Sequence, residues 1–148
     1  MTSLNPPATI LVVEDNPDDF TIFEFALRGA QIQNPVVHVE DGAAALDYMF
    51  ARGKYSDRAT YPIPGILFLD INLPKVNGIK VLETLRGTRE FSSIPVVMVT
   101  VSDSSHDVLR SYESGSSLFV QKPVVAENLT ALSGAIPILQ AASTVQER

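Results

Sequence analysis

The sequence contains no cysteine, and this absence excludes both disulfide bonds and thiolate metal sites. The two histidines, His38 and His106, lack the spacing of a zinc site or a catalytic triad, and we interpret both as non-catalytic. Basic residues are also few, since the 148 residues include 11 Lys and Arg against 17 Asp and Glu, which gives a net charge of −6. Nucleic acids bind clusters of Lys and Arg, so we expect protein partners or small cations and no nucleic acid.

Long apolar runs are absent as well. No run approaches the ~20 residues of a membrane-spanning helix, and residues 1–7 lack the basic and apolar segments of a secretion signal. The composition, 45% apolar and 19% charged, suits a chain that buries one core. We therefore expect a soluble cytoplasmic protein without membrane contact, in which one domain over 8–142 lies between an N-terminal tail at 1–7 and a C-terminal tail at 143–148.

Five short apolar runs alternate with five helical patterns along the chain. The predicted strands lie at about 8–14, 35–40, 65–70, 94–100 and 117–121. The runs at 10–13, 66–69 and 96–99 are continuously apolar, which is typical of parallel strands covered on both faces by helices. The sequence therefore predicts an α/β fold of (βα)₅ type, a doubly wound five-stranded parallel sheet in the flavodoxin-like order 2-1-3-4-5.

The helix after the first predicted strand has a well-defined start. Asn16 can cap it, Pro17 suits its first position, and Asp18 and Asp19 lie where the helix dipole favours acids. We interpret both acids as structural residues of the helix start. The later helices are predicted at about 42–52, 77–87, 104–114 and after Pro123.

The segment 53–64, between the second helix and the third strand, is polar and contains prolines. It is long for a connection in such a fold, so we interpret it as an elaborated surface loop or a contact site.

Polar residues of matching chemistry stand where four of the predicted strands end. The first strand ends in Glu14 and Asp15, the third in Asp70 and the fourth in Thr100, while Lys122 follows the fifth. Parallel strands end at one edge of the sheet, so these groups are expected to meet. Close carboxylates repel by about 4 kcal/mol at ~4 Å for an effective dielectric near 20, and a divalent cation such as Mg²⁺ relieves that repulsion. The sequence thus predicts a site for a cation and a phosphoryl group.

Each of these groups has a chemical role in phosphoryl transfer. Asp70 is the predicted nucleophile, because a carboxylate can form an acyl phosphate. Lys122 supplies an ammonium group and Thr100 a hydroxyl group, and both can donate hydrogen bonds to phosphoryl oxygens.

In order and spacing, these residues resemble the receiver domain of two-component response regulators, the CheY-like domains, over nearly the whole chain. The matching segments are 10–16, 67–74 with Gly78, 97–100, and Lys122-Pro123. The resemblance implies that Asp70 is the phosphoacceptor and that the site binds Mg²⁺ or Mn²⁺. In the implied metal site, Asp15 is a direct ligand and Glu14 is a ligand through water. The main-chain carbonyl of Asn72 is a further ligand.

The resemblance also implies how the domain works. Thr100 and Lys122 bind the phosphoryl group, the donor is a phosphohistidine on a sensor histidine kinase, and the chain catalyses its own phosphorylation and slow dephosphorylation without being a dedicated enzyme. In the implied switch, Thr100 moves toward the phosphoryl group and Phe119 turns inward, although ordinary core filling explains Phe119 equally well. The long loop and the segment 13–17 (VEDNP) resemble single-domain receivers that serve phytochrome-type histidine kinases.

The last helix is unusually apolar. Glu127 is the only charged residue in 124–142, and apolar residues lie around more than one face, whereas a helix covering a sheet needs only one apolar stripe. Pro137 is expected to kink or end this helix. We predict a homodimer through the last helix and a neighbouring surface, to which Val108, Leu109 and Tyr112 of the fourth helix can contribute, although core packing explains these three as well.

Two other classes of protein are alternatives, one with similar chemistry and one with a flavodoxin-like fold. An aspartyl-phosphate phosphatase of haloacid-dehalogenase type carries Asp-x-Asp at its first strand, whereas this chain has Glu14-Asp15 there and lacks residues for a substrate cap. A flavodoxin-like binding module needs glycine or hydroxyl residues to hold phosphate at its first turn, and this chain has acids and a proline at 14–19. Both alternatives are therefore disfavoured.

Overall fold

The computed structural model describes residues 7–101, 105–116 and 118–135. The strands are β1 (Ile10–Val13), β2 (Val36–Val39), β3 (Ile66–Asp70), β4 (Val96–Thr100) and β5 (Leu118–Gln121). The helices are α1 (Pro17–Gly29), α2 (Gly42–Met49), α3 (Gly78–Arg86), α4 (Ser105–Glu113) and α5 (Ala126–Ala135). All ten predicted elements are present in the predicted order.

The five strands form one parallel sheet in the order β2-β1-β3-β4-β5, as the sequence predicts. The register places Asp70 beside Val99 and Thr100 beside Gln121. Because all five strands run in the same direction, their carboxyl ends lie along one edge. The strand order reverses at β1 and β3, which end in Val13 and Asp70.

Successive residues of each strand point to opposite faces of the sheet, and each face is covered by helices. Leu11, Leu67 and Met98 pack on one face with residues of α2 and α3. Ile10 and Phe68 pack on the other face with residues of α1 and α5. The two separate clusters explain why the central strands are continuously apolar and fully buried.

The start of α1 has the predicted cap. The side-chain oxygen of Asn16 accepts hydrogen bonds from the main-chain N–H groups of Asp18 at 2.9 Å and Asp19 at 3.0 Å. Pro17 occupies the first helical position, where its missing N–H group costs nothing. The cap and the proline fix the first turn of α1 directly behind the end of β1.

The long segment 53–64 is anchored to the domain. The hydroxyl of Tyr48, on α2, donates to the carbonyl of Pro62 at 2.8 Å. The guanidinium of Arg58 donates to the carbonyls of Tyr48 and Met49, which lie at the end of α2. The ring of Tyr61 packs edge-on against that of Tyr48. These contacts support the prediction of an elaborated loop, and they show that it folds back on α2.

The described part of the last helix packs largely on the sheet. Val124, Leu129 and Leu132 are buried in the cluster beneath α1 and α5, while Val125 is 45% exposed. The predicted helix residues after Ala135, including Pro137, lie outside the described residues, as does the predicted domain boundary at 142. Within 7–101, 105–116 and 118–135, no helix is both long enough and apolar enough to cross a bilayer.

Candidate functional site

Three carboxylates meet at the carboxyl edge of the sheet. Glu14 and Asp15 directly follow β1, and Asp70 is the last residue of β3. One oxygen from each of these side chains lies within 4.8 Å of the other two. Glu14 and Asp70 are buried, and Asp15 is exposed. The topology thus brings together the acids that the sequence predicted at this edge.

Lys122 carries the positive charge at the centre of the site. Its Nζ atom lies 2.7 Å from Glu14 Oε1, 2.8 Å from Asp70 Oδ2 and 2.9 Å from Asp19 Oδ2. The lysine side chain is only 10% exposed, so these charged hydrogen bonds are shielded from water. An ammonium group has three donors, and each of them faces a carboxylate here.

Main-chain and side-chain hydrogen bonds hold the remaining groups of the site in place. The N–H group of Asn72 donates to Asp70 Oδ1 at 3.0 Å, so the Asp70 carboxylate is held from both sides. Thr100 is fully buried, and its Oγ1 atom lies 3.5 Å from Asn72 Nδ2. The N–H group of Lys122 donates to the carbonyl of Thr100 at 2.7 Å. Asp70, Thr100 and Lys122 are therefore joined through short local contacts.

The electrostatics of the site follow from burial and from the ion pairs of Lys122. Burial raises the pKa of Glu14 above its ordinary value, because the buried charged form loses hydration, although the hydrogen bond from Lys122 opposes this effect. Burial alone would lower the pKa of Lys122. The hydrogen bonds with Asp70, Glu14 and Asp19 outweigh burial and raise that pKa, so Lys122 stays charged at neutral pH.

The donor set of the cluster fits a hard divalent cation. The three available side chains are all carboxylates, and Mg²⁺ and Mn²⁺ prefer oxygen ligands. Lys122 balances only one of the negative charges that surround it, so the edge retains an excess of acidic groups. Glu14, Asp15 and Asp70 are the residues that would hold such a cation.

The structure also contains contacts that the sequence analysis missed. Asp19 forms an ion pair with Lys122, although we interpreted it as a structural acid of the helix start. The ring of His38 stacks on Phe20 with centroids 3.8 Å apart, and its Nε2 atom lies 2.7 Å from the carbonyl oxygen of Glu14. Phe119 is half-buried and packs against the cluster of α2 and α3.

Comparison with known proteins defines the class to which this fold and site belong. The sequence profile of the response regulator receiver domain matches residues 10–133, and the chain therefore belongs to that family. This result favours a receiver over the phosphatase and the flavodoxin-like module that the sequence left as alternatives.

Within this family, the chain is similar to the response regulator Rcp1. The response regulator Rcp1 of Synechocystis sp. is 34% identical over 118 residues, which cover 80% of this chain and 78% of Rcp1. The structure of its Mn(2+)-bound form matches with a TM-score of 0.75 and 28% identity, and covers 91% of this chain and 99% of that one. Both relatives are named as response regulators.

Two further structures are similar to this chain. The bacteriophytochrome response regulator AtBRR matches with a TM-score of 0.80 and 39% identity, and covers 93% of this chain and 97% of that one. The phosphorylated cyanobacterial phytochrome response regulator RcpA matches with a TM-score of 0.73 and 30% identity, and covers 88% of this chain and 91% of that one.

Proposed function

We propose that this protein is a receiver that accepts a phosphoryl group on Asp70. The observation that carries the proposal is the buried pairing of Asp70 Oδ2 with Lys122 Nζ at 2.8 Å beside the cluster of carboxylates. A carboxylate in this position can attack phosphorus, and the ammonium group can neutralise charge on the phosphoryl oxygens during transfer.

The proposed transfer moves the phosphoryl group from a phosphohistidine nitrogen to an oxygen of Asp70. A carboxylate oxygen of Asp70 forms a bond to phosphorus while the P–N bond of a phosphohistidine breaks, and the electron pair of that bond returns to the imidazole. Lys122 and Thr100 donate hydrogen bonds to the phosphoryl oxygens. A divalent cation, Mg²⁺ or Mn²⁺, would supply the additional positive charge, held by Glu14, Asp15, Asp70 and the main-chain carbonyl of Asn72. Hydrolysis of the acyl phosphate by water returns Asp70 to its free form.

The proposed donor is a sensor histidine kinase of the phytochrome type. Support comes from the relatives, since AtBRR and RcpA are named as phytochrome response regulators and RcpA was seen in phosphorylated form. The proposal places the protein in the cytoplasm, where ATP-dependent kinases act. Transfer from purified kinases tests it: a phytochrome-type kinase should phosphorylate the protein faster than sensor kinases of other classes do.

A simpler experiment tests the site itself. After incubation with acetyl phosphate and Mg²⁺, the intact mass of the wild type should increase by one phosphoryl group, and that of Asp70→Asn should not change. Phosphorylation of the Asp70→Asn variant to the same extent would show that Asp70 is not the acceptor. Steady hydrolysis of many phosphomonoesters by the wild type would favour a phosphatase instead.

We further propose that phosphorylation is signalled through the surface around α4 and β5, with Thr100 and Phe119 as the switch. A phosphoryl group brings about −1.5 to −2 units of charge to Asp70, and new donors must approach it. Phe119 is only half-buried, so part of its side chain would be withdrawn from solvent by an inward turn. Nuclear magnetic resonance spectra with and without acetyl phosphate should show shifts concentrated at Thr100, at Phe119 and around α4.

A homodimer is the proposed form of the protein in solution. In the described part of the chain, Leu109 is 58% exposed, Tyr112 is 46% exposed and Val125 is 45% exposed, so core packing does not account for them. Light scattering at micromolar concentration should give the mass of a dimer for the wild type and of a monomer for Leu109→Glu combined with Tyr112→Glu. A monomeric wild type would contradict this part of the proposal.

A further inference from the structure

The contact between Asp19 and Lys122 joins two residues that are 103 positions apart in the sequence. Asp19 Oδ2 accepts a hydrogen bond from Lys122 Nζ at 2.9 Å, and the Asp19 side chain is 33% exposed. The other two donors of the ammonium group point to Glu14 and Asp70. Asp19 is thus the outermost of the three acceptors of this lysine.

Asp19 differs from the other two acceptors in one important respect. The group of acids able to hold a metal ion, within the described residues, comprises Glu14, Asp15 and Asp70 and does not include Asp19. Two of the three acceptors of Lys122 are therefore also candidate cation ligands. When Glu14 and Asp70 share their oxygens with a cation, their attraction for the ammonium group is weakened, whereas that of Asp19 is not.

Phosphorylation, like cation binding, weakens the attraction between Lys122 and the Asp70 carboxylate. Under the proposed function, on which this inference rests, Asp70 becomes an acyl phosphate and loses its carboxylate charge. The hydrogen bond that Lys122 gives to Asp70 then passes to a phosphoryl oxygen. We propose that Asp19 is the positioning residue that keeps the ammonium group of Lys122 over Asp70 when the two metal-binding carboxylates are engaged.

The local structure gives Asp19 the rigidity that this role needs. Its main-chain N–H group is fixed by the side chain of Asn16, and it lies in the first turn of a helix that follows β1 directly. Asp18 occupies the same turn and is also held by Asn16. Asp18 is exposed and forms no ion pair with Lys122 in the described parts of the chain. The two neighbours therefore share the helix-start position, and only one of them contacts the lysine.

This pair of neighbours provides a matched experiment. Asp19→Asn and Asp18→Asn remove the same charge from the same helical turn, and thermal unfolding of each variant shows that it is folded at the temperature of the assay. With saturating Mg²⁺ and acetyl phosphate, we expect Asp19→Asn to be phosphorylated about three- to tenfold more slowly than the wild type. Asp18→Asn should retain the wild-type rate. Equal rates for the two variants would overturn the proposal.

A second measurement reports the lysine directly. An ammonium group held by three carboxylates exchanges its protons slowly enough to give a ¹H–¹⁵N signal, which Lys122→Arg assigns by its loss. We expect the Lys122 signal in the wild type and in Asp18→Asn, with and without Mg²⁺. In Asp19→Asn it should persist without Mg²⁺ and disappear when Mg²⁺ is added. A signal that survives Mg²⁺ in Asp19→Asn, or one that is missing from the wild type, would contradict the role of Asp19.

The two experiments separate this inference from the proposed function. If the wild type gains no phosphoryl group, the proposed function fails. If the wild type is phosphorylated and the Asp19→Asn variant behaves like Asp18→Asn in both measurements, only the positioning role of Asp19 fails.

Discussion

Gly78 lies against the main-chain carbonyl of Asp70: a Cβ atom added to Gly78 would be 2.0 Å from that oxygen. The N–H group of Gly78 also donates to the carbonyl of Ile71 at 2.8 Å, so α3 starts in direct contact with the end of β3. We expect Gly78→Ala to lower the free energy of unfolding by about 2 kcal/mol, because backbone atoms must move apart. Urea denaturation measures this loss.

A second glycine provides the control. Among the residues that the structure describes, a Cβ atom on Gly134, in α5, would have no atom within 4 Å apart from its chain neighbours and the backbone of its own helix, and alanine is the better helix former. Gly134→Ala should leave the unfolding midpoint unchanged or raise it. The rate at which Asp70 is phosphorylated should also fall in Gly78→Ala, since the carboxylate of Asp70 moves with its main chain. Wild-type stability in Gly78→Ala would show that the contact relaxes without cost.

Binding of a divalent cation should stabilise the protein through the carboxylate cluster. At a concentration ten times the dissociation constant, Mg²⁺ is expected to raise the free energy of unfolding by about 1.4 kcal/mol. Asp15→Asn should remove most of this gain, because it takes away one of the three carboxylates that could hold the ion. Calorimetry with and without Mg²⁺ measures the effect, and Asp18→Asn, outside the cluster, should respond like the wild type.

The fold and most of the site could be predicted because they depend on short-range patterns. Continuous apolar runs that stop at Glu14, Asp70 and Thr100 mark strand ends, and parallel strands bring their ends to one edge whatever the details of the helices. The cap at Asn16 is equally local, since it depends only on the next three residues. These features required no knowledge of how the helices are oriented.

The missed contacts depend on distances that spacing does not give. The spacing places Asp19 in the first turn of α1, but it does not give the distance between that turn and Lys122, which lies 103 positions later and follows β5. Arg58 reaches the end of α2 because the segment 53–64 folds back on that helix. In both cases tertiary packing determines the partner. For a charged residue in a loop or at a helix start, the sequence alone is consistent with many possible partners.

Loss of Lys122 should destabilise the protein in the absence of a cation. Lys122→Met leaves Glu14 and Asp70 buried beside each other without an ammonium group, and we expect a loss of about 3 kcal/mol at neutral pH. Lys75→Met is the control, because Lys75 is 68% exposed and its pair with Asp41 is worth at most about 1 kcal/mol. Similar losses in the two variants, measured in urea, would mean that burial of the acids is not costly.

Tyr48 anchors the loop 53–64, and its contribution to the free energy of unfolding should depend on pH. Burial raises the pKa of Tyr48 above its ordinary value of 10.0, and its hydroxyl donates to the carbonyl of Pro62. At pH 8, Tyr48→Phe should lower the free energy of unfolding by about 1 kcal/mol through the lost hydrogen bond. A phenol whose pKa is raised by folding stabilises the fold fully below pH 10 and progressively less above it, because the unfolded state ionises first. The difference between wild type and Tyr48→Phe should therefore shrink as the pH rises from 9 to 11. A difference that stays constant or grows over this range would show that Tyr48 ionises at least as easily in the folded protein as in the unfolded chain.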